Sequence, residues 1–130
     1  MSSYLLDTHV WLWLQTTPER MPEDVISLLA DRTNTLLLSA ASSWEMAIKY
    51  RLGKLPLPEP PADYVPERMR LTGVTPLPVE HAHALRVADL PQHHSDPFDR
   101  LIVAQAQLLG VPIVTADPQL NAYEVELIST

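Results

Sequence analysis

Apolar residues along the chain cluster in short runs separated by polar turns, and the runs come in two kinds. Tyr4-Leu5-Leu6 is a brief apolar run ending in an acid, Asp7, and Thr8 is placed to cap a helix whose body is Val10-Trp11-Leu12-Trp13-Leu14. Pro22-Glu23-Asp24 opens a second helix, with proline in the first turn and acids at the positive dipole end, continuing through Val25, Ile26, Leu28 and Leu29. Thr35-Leu36-Leu37-Leu38-Ser39 is apolar without alternation, as a strand covered on both faces should be. A helix over residues 40–52 follows and stops at Gly53. Further on, the pattern predicts a helix over 62–71, a short strand over 74–77, a helix over 79–88 and a loop over 90–95. Asp96-Pro97-Phe98-Asp99 then opens the clearest helix, with Asp as N-cap, Pro at the first position, an acid at the third, apolar residues to Leu109 and Gly110 as the stop. Val111-Pro112-Ile113-Val114-Thr115 reads as a strand, and a last strand is expected over 125–128. Strands without period-2 polarity, alternating with helices, imply βαβ units. The expected fold is α/β, a three-layer α/β/α sandwich with a mostly parallel central sheet in one domain, 1–130.

Composition narrows the function. The chain has 130 residues, 46% hydrophobic and 19% charged, which is ordinary for one folded domain. Its 13 prolines sit mostly between periodic segments, and the one dense stretch, residues 53–61, is a stiff connection too short to separate two domains. With no cysteine, disulfides, thiolate metal sites and a cysteine nucleophile are excluded. Gly53, Gly73 and Gly110 are the only glycines, so no glycine-rich phosphate loop can be written. A net charge of −7 argues against nucleic-acid affinity driven by a basic surface. No apolar run nears the ~18 residues of a membrane span, and the first residues carry no basic leader, so a cytoplasmic protein without membrane contact is expected.

The acids supply a different route to phosphates. In doubly wound sheets ligands gather beyond the carboxyl ends of the strands, near the point where strand order reverses. Asp7 closes the first strand, and Asp117 follows the strand that ends near Thr115. Asp99 lies on the same helical arc as Ile102, Val103 and Ala106, while Arg100, Gln105 and Gln107 fall to the sides. Glu45 is ambiguous: it flanks an apolar arc and also stands four residues before Lys49, the spacing of an exposed ion pair. Each acid alone has a plain structural reading as turn former, helix-dipole acid or surface pair. Converging carboxylates repel one another and need a cation, and an all-oxygen site selects Mg²⁺ or Mn²⁺. Such ions would also provide the positive charge that an acidic chain needs to hold a phosphodiester.

Four segments together carry a resemblance: Leu5-Leu6-Asp7-Thr8-His9, Ser43-Trp44-Glu45, Asp96-Pro97-Phe98-Asp99-Arg100 and Thr115-Ala116-Asp117. In that order and spacing the chain resembles, over essentially its whole length, a PIN domain of the VapC toxins of bacterial toxin–antitoxin pairs. The resemblance implies Mg²⁺- or Mn²⁺-dependent cleavage of RNA at Asp7, Glu45, Asp99 and Asp117, with Thr115 as a polar support. It also implies an antitoxin that enters a groove of the toxin, and self-association as a homodimer. Trp11, Trp13 and the Pro-rich stretch are candidate antitoxin contacts, buried core being the alternative for the tryptophans. Asp96 is read as the helix N-cap ahead of a fifth site acid. Leu120 departs from the family pattern, which often has an aromatic residue there.

Other features weigh less. His81-x-His83 and His93-His94 suit zinc poorly, because helix positions two apart face different ways and the loop pair has no evident third ligand; all are expected to be solvated. Lys49 and Arg100 are the cations best placed by sequence to meet a substrate phosphate or a site acid. A dehalogenase-like phosphatase with Asp7 as nucleophile is one alternative, weakened because His9 occupies the position of its second acid. A non-enzymatic Mg²⁺-binding α/β partner module is another, weakened because Lys54 is the last lysine in the chain.

Overall fold

The structure, a computed structural model, describes residues 2–130. Its strands are β1 (Ser3–Leu6), β2 (Thr35–Ser39), β3 (Thr75–Leu77), β4 (Ile113–Thr115) and β5 (Leu127–Ser129). Its helices are α1 (Thr8–Thr16), α2 (Glu23–Ala30), α3 (Ala40–Arg51), α4 (Pro61–Thr72), α5 (His81–Arg86) and α6 (Pro97–Leu109), with single 3₁₀ turns at Pro18–Arg20, Val87–Asp89 and Pro118–Ala122. All strand pairs are parallel, in the order β3-β2-β1-β4-β5.

The absence of alternation in the strands has its cause in the two faces. Leu6, Leu36, Leu38 and Val114 pack with Val10, Trp11, Val25, Met46 and Val65, residues of α1 to α4. Leu5 and Ile113 point the other way, onto Ile102, Val103 and Ala106 of α6, with Leu37 and Leu127 against the same cluster. Both faces of β1 are therefore dry, and Leu5 and Leu6 are fully buried. A sheet covered on both sides has no face on which polar residues can alternate.

Where the structure differs from the sequence expectation, three differences have a clear local reason. The strand expected from Val111 begins at Ile113, because Pro112 has no N–H for the ladder and only its carbonyl is used, accepting from Leu5 N at 2.9 Å. The helix expected from residue 79 begins at His81, because Glu80 and His83 close a reciprocal capping box. Asp7, not Thr8, caps α1: its Oδ1 accepts the Thr8 N–H at 2.8 Å, and this frees the Thr8 hydroxyl for another partner. The order of the sheet reverses at β1, which has β2 on one side and β4 on the other, so the switch point lies where Asp7 and Thr115 end their strands.

Candidate active site

The switch point is built from side chains that hold one another. The Thr115 hydroxyl donates to Asp7 Oδ2 at 2.7 Å and accepts from the Asp117 N–H at 3.0 Å, tying the end of β4 to the end of β1. Asp7 is 5% exposed, and burial pushes its carboxyl up even though two donors serve it. The Thr8 hydroxyl lies 2.8 Å from both Glu45 Oε1 and Ser42 Oγ. It has one proton, which goes to the charged acceptor.

Glu45 makes the i,i+4 pair with Lys49 that its spacing allowed, but as a buried acid and not an exposed one. Its carboxylate is 3% exposed and faces Thr8, while its second oxygen pairs with Lys49 one helical turn on. Lys49 is held above its ordinary range first by that hydrogen bond, and also by the charges of Asp96 and Asp99, so its ammonium belongs to the acidic cluster's edge. Asp99 shows the strain of the cluster most clearly. Its carboxyl is pushed up from 3.8 to about 7, first by burial and next by the negative charges of Asp7 and Asp96.

Asp117 sits at the outer side of the group. Its Oδ1 accepts the Gln119 N–H at 2.9 Å as cap of a 3₁₀ turn, and its Oδ2 lies 3.1 Å from His94 Nε2. The same nitrogen is 3.0 Å from Asp99 Oδ2. The expectation that His94 is solvated is therefore corrected: its side chain is 13% exposed and bridges two site acids. His83 is corrected too, being 7% exposed, with its Nδ1 accepting from Glu80 N at 3.0 Å and Gln105 Nε2 3.2 Å away. The signal for His94 was its place two residues before a strong N-cap, which fixes the loop against the start of α6.

Asp96 is that cap, its Oδ1 accepting from Phe98 N at 2.8 Å and Asp99 N at 3.3 Å. Asp96→Ala is expected to cost about 1 kcal/mol and Asp96→Ser only a fraction of that, measured by urea unfolding. Equal losses in the two variants would mean that charge, and not capping, is what Asp96 contributes. Arg100 also needs correction. It is 7% exposed and spends its guanidinium on the carbonyls of Pro91 (2.9 Å), Val87 (3.1 Å) and Leu90 (3.4 Å), so it is turned away from any substrate phosphate.

The donor set suits a hard divalent ion. The charges of Asp7 and Glu45 raise the Asp99 carboxyl, and that of Glu45 raises Asp7, so these carboxylates repel one another in a partly dry site; among the described residues Lys49 is the one ammonium or guanidinium paired with any of them. One ligand atom each from His94, Asp99 and Asp117 lies within 4.8 Å of the others.

An α/β/α sandwich with buried carboxylates at its switch point defines the class. The PIN domain pattern matches residues 4–126, and the chain belongs to the PIN domain family. It is similar to Ribonuclease VapC22 of Mycobacterium tuberculosis, 31% identical over 126 residues that make up 95% of this chain and 93% of that protein. It is also similar to Ribonuclease VapC16 of the same organism, 63% identical over 57 residues, where the match spans 44% of this chain and only 40% of that protein. Among solved structures, VapBC2 from Rickettsia felis bound to a DNA fragment from their promoter superposes with a TM-score of 0.72 at 16% identity, covering 98% of both chains. DNA-bound VapBC from Salmonella typhimurium gives 0.68 at 18% identity, covering 99% of this chain and 98% of that one. At those identities the structures speak for the fold.

Proposed function

We propose that the chain is a metal-dependent endoribonuclease, the toxin of a type II toxin–antitoxin pair acting in the cytoplasm. The observation that carries this reading is the convergence of Asp7, Glu45 and Asp99 at the switch point, with the Asp99 carboxyl pushed to about 7 by burial and by its neighbours' charge. Asp7, Glu45, Asp99 and Asp117 would hold Mg²⁺ or Mn²⁺, which supplies Lewis acidity toward a phosphodiester and lowers the pKa of water. The chain's own residues set the acids. Thr115 and the Thr8 N–H fix both oxygens of Asp7, while the Thr8 hydroxyl and Lys49 fix both oxygens of Glu45. Lys49, 40% exposed at its side chain, can also reach a substrate phosphate. The names of the two Mycobacterium relatives, both ribonucleases, support RNA as substrate.

An antitoxin partner fits a feature away from the acids. Ala47 of α3 and Pro61, Val65, Pro66 and Met69 of α4 line an apolar groove of about 580 Å³, suited to apolar side chains of an extended or helical segment. Of the contacts expected from sequence, Trp11 is fully buried in the core and is withdrawn. Trp13 is partly buried under Arg20, whose guanidinium carbon is 5.2 Å from the ring centre. Self-association is supported by Trp44, Ile48 and Leu52, which form an uncovered stripe at four-residue spacing on α3 and just beyond it.

The purified chain is expected to cut an RNA pool with Mg²⁺ or Mn²⁺ and to stop on addition of EDTA, with cleavage mapped from the new ends. Cutting that continues in EDTA would remove the metal-dependent reading, and failure to cut any RNA despite tight Mn²⁺ binding would favour a binding module.

A further inference from the structure

His94 lies outside the four-acid set, yet its ring bridges the carboxylates of two of those acids. Asp99 comes from the first turn of α6 and Asp117 from the segment after β4, so no shared backbone element keeps their carboxylates in register. Nε2 of His94 reaches Asp99 Oδ2 at 3.0 Å and Asp117 Oδ2 at 3.1 Å. Among the described residues no other hydrogen-bond donor reaches the Asp99 carboxylate. We propose that His94 is a positioning residue that clasps Asp99 to Asp117 and so sets the site's affinity for its divalent cation. The inference rests on the metal-site reading above and adds to it a residue that no carboxylate pattern contains.

The tautomer decides between clasp and ligand. Nδ1 of His94 accepts the Asp96 N–H at 3.1 Å, which places a lone pair on Nδ1 and the ring proton on Nε2, as inferred from the hydrogen-bond network. Nε2 thus faces the acids as a donor and has no lone pair to offer a metal. The ring is held from behind as well. Its backbone N–H donates to the Tyr123 hydroxyl at 2.9 Å, and that hydroxyl and the His94 carbonyl are both within reach of Arg100. Outer partners of this kind orient ligating carboxylates, and their loss weakens metal binding.

The test is a titration of free Mn²⁺ by its electron paramagnetic resonance signal against the natural chain, His94→Ala, His94→Gln and His93→Ala, each first shown to unfold cooperatively. His94→Ala is expected to weaken Mn²⁺ binding about 10–100-fold. His94→Gln, whose amide N–H can replace the Nε2–H, should recover most of that loss, and His93→Ala should match the natural chain. Pulsed resonance on the bound ion should show no directly coordinated nitrogen. Unchanged or tighter binding by His94→Ala would overturn the clasp, as would a strong nitrogen coupling, which would make His94 a ligand. If the natural chain bound no Mn²⁺ at all, the metal-site reading would fall and the clasp with it, an outcome distinct from an unaltered His94→Ala.

Discussion

Asp99→Asn is expected to abolish RNA cleavage and, without metal, to make the protein more stable at neutral and higher pH. If the four acids hold a divalent ion as proposed, losing one carboxylate removes both charge and a ligand. A rate loss of about 1,000-fold or more, corresponding to about 4 kcal/mol, is anticipated. Stability moves the other way because the natural carboxyl is pushed up to about 7 from 3.8. In the unfolded chain Asp99 ionises near 3.8, while in the folded metal-free protein it keeps its proton until about pH 7. The contribution of this group is therefore fully present below 3.8, is lost as pH rises toward about 7, and stays lost above. Asparagine has no such proton to lose, and its amide oxygen still accepts from His94. The variant should melt roughly 10 °C higher than the natural chain at about pH 8 in EDTA, and the gap should close toward about pH 4. Adding Mn²⁺ should raise the melting temperature of the natural chain and leave the variant nearly unchanged. A variant with the natural stability profile would show that Asp99 is not under electrostatic strain. Full cleavage by it would remove Asp99 from the site.

How much of this was legible depends on whether the information was local. Asp7 could be placed from sequence because an acid ending a doubly apolar run has one location available, the carboxyl edge of a buried strand. The start of α6 could be placed because Asp96, Pro97 and Asp99 each satisfy a separate requirement of a helix N-terminus. Glu45 could not be oriented, because the helical arithmetic that put it beside Lys49 was correct and incomplete. The Thr8 hydroxyl that turns it inward comes from 37 residues away. The same limit explains His94 and Gln105. A helical wheel describes faces relative to the helix's own axis and assumes that one face is wet. Both sides of the α6 arc are covered: Arg100 lies under the segment after α5, and Gln105 is fully buried against His83 of α5 and the Pro78 carbonyl that precedes it. His94 needed both ends of that geometry at once, a loop closing over α6 and a strand end arriving from β4.

Arg100→Ala is expected to destabilise the fold by about 3–5 kcal/mol, among the largest losses any single substitution here should cause. The guanidinium is the common donor for the carbonyls of Val87, Leu90 and Pro91, and it reaches the His94 carbonyl at 3.5 Å and the Tyr123 hydroxyl at 3.4 Å. Its charge is balanced by carbonyl dipoles: the Val87 oxygen, which also accepts the Leu90 N–H at 3.2 Å, and the oxygens of Leu90 and Pro91 all turn toward it. Removing the side chain takes the donor from the Leu90 and Pro91 oxygens and leaves Val87 with only its turn hydrogen bond. Arg100→Lys should recover little, since a single ammonium cannot span acceptors arranged around a planar fork. Urea unfolding measures the loss directly. A contact with the scissile phosphate would give the opposite pattern, with Arg100→Lys keeping stability and losing cleavage. Because the same guanidinium fixes the loop that carries His94, Arg100→Lys should also weaken Mn²⁺ binding in protein that is still folded. Reduced metal affinity with cleavage restored at saturating Mn²⁺ would place Arg100 behind the site, acting through His94 on Asp99 and Asp117.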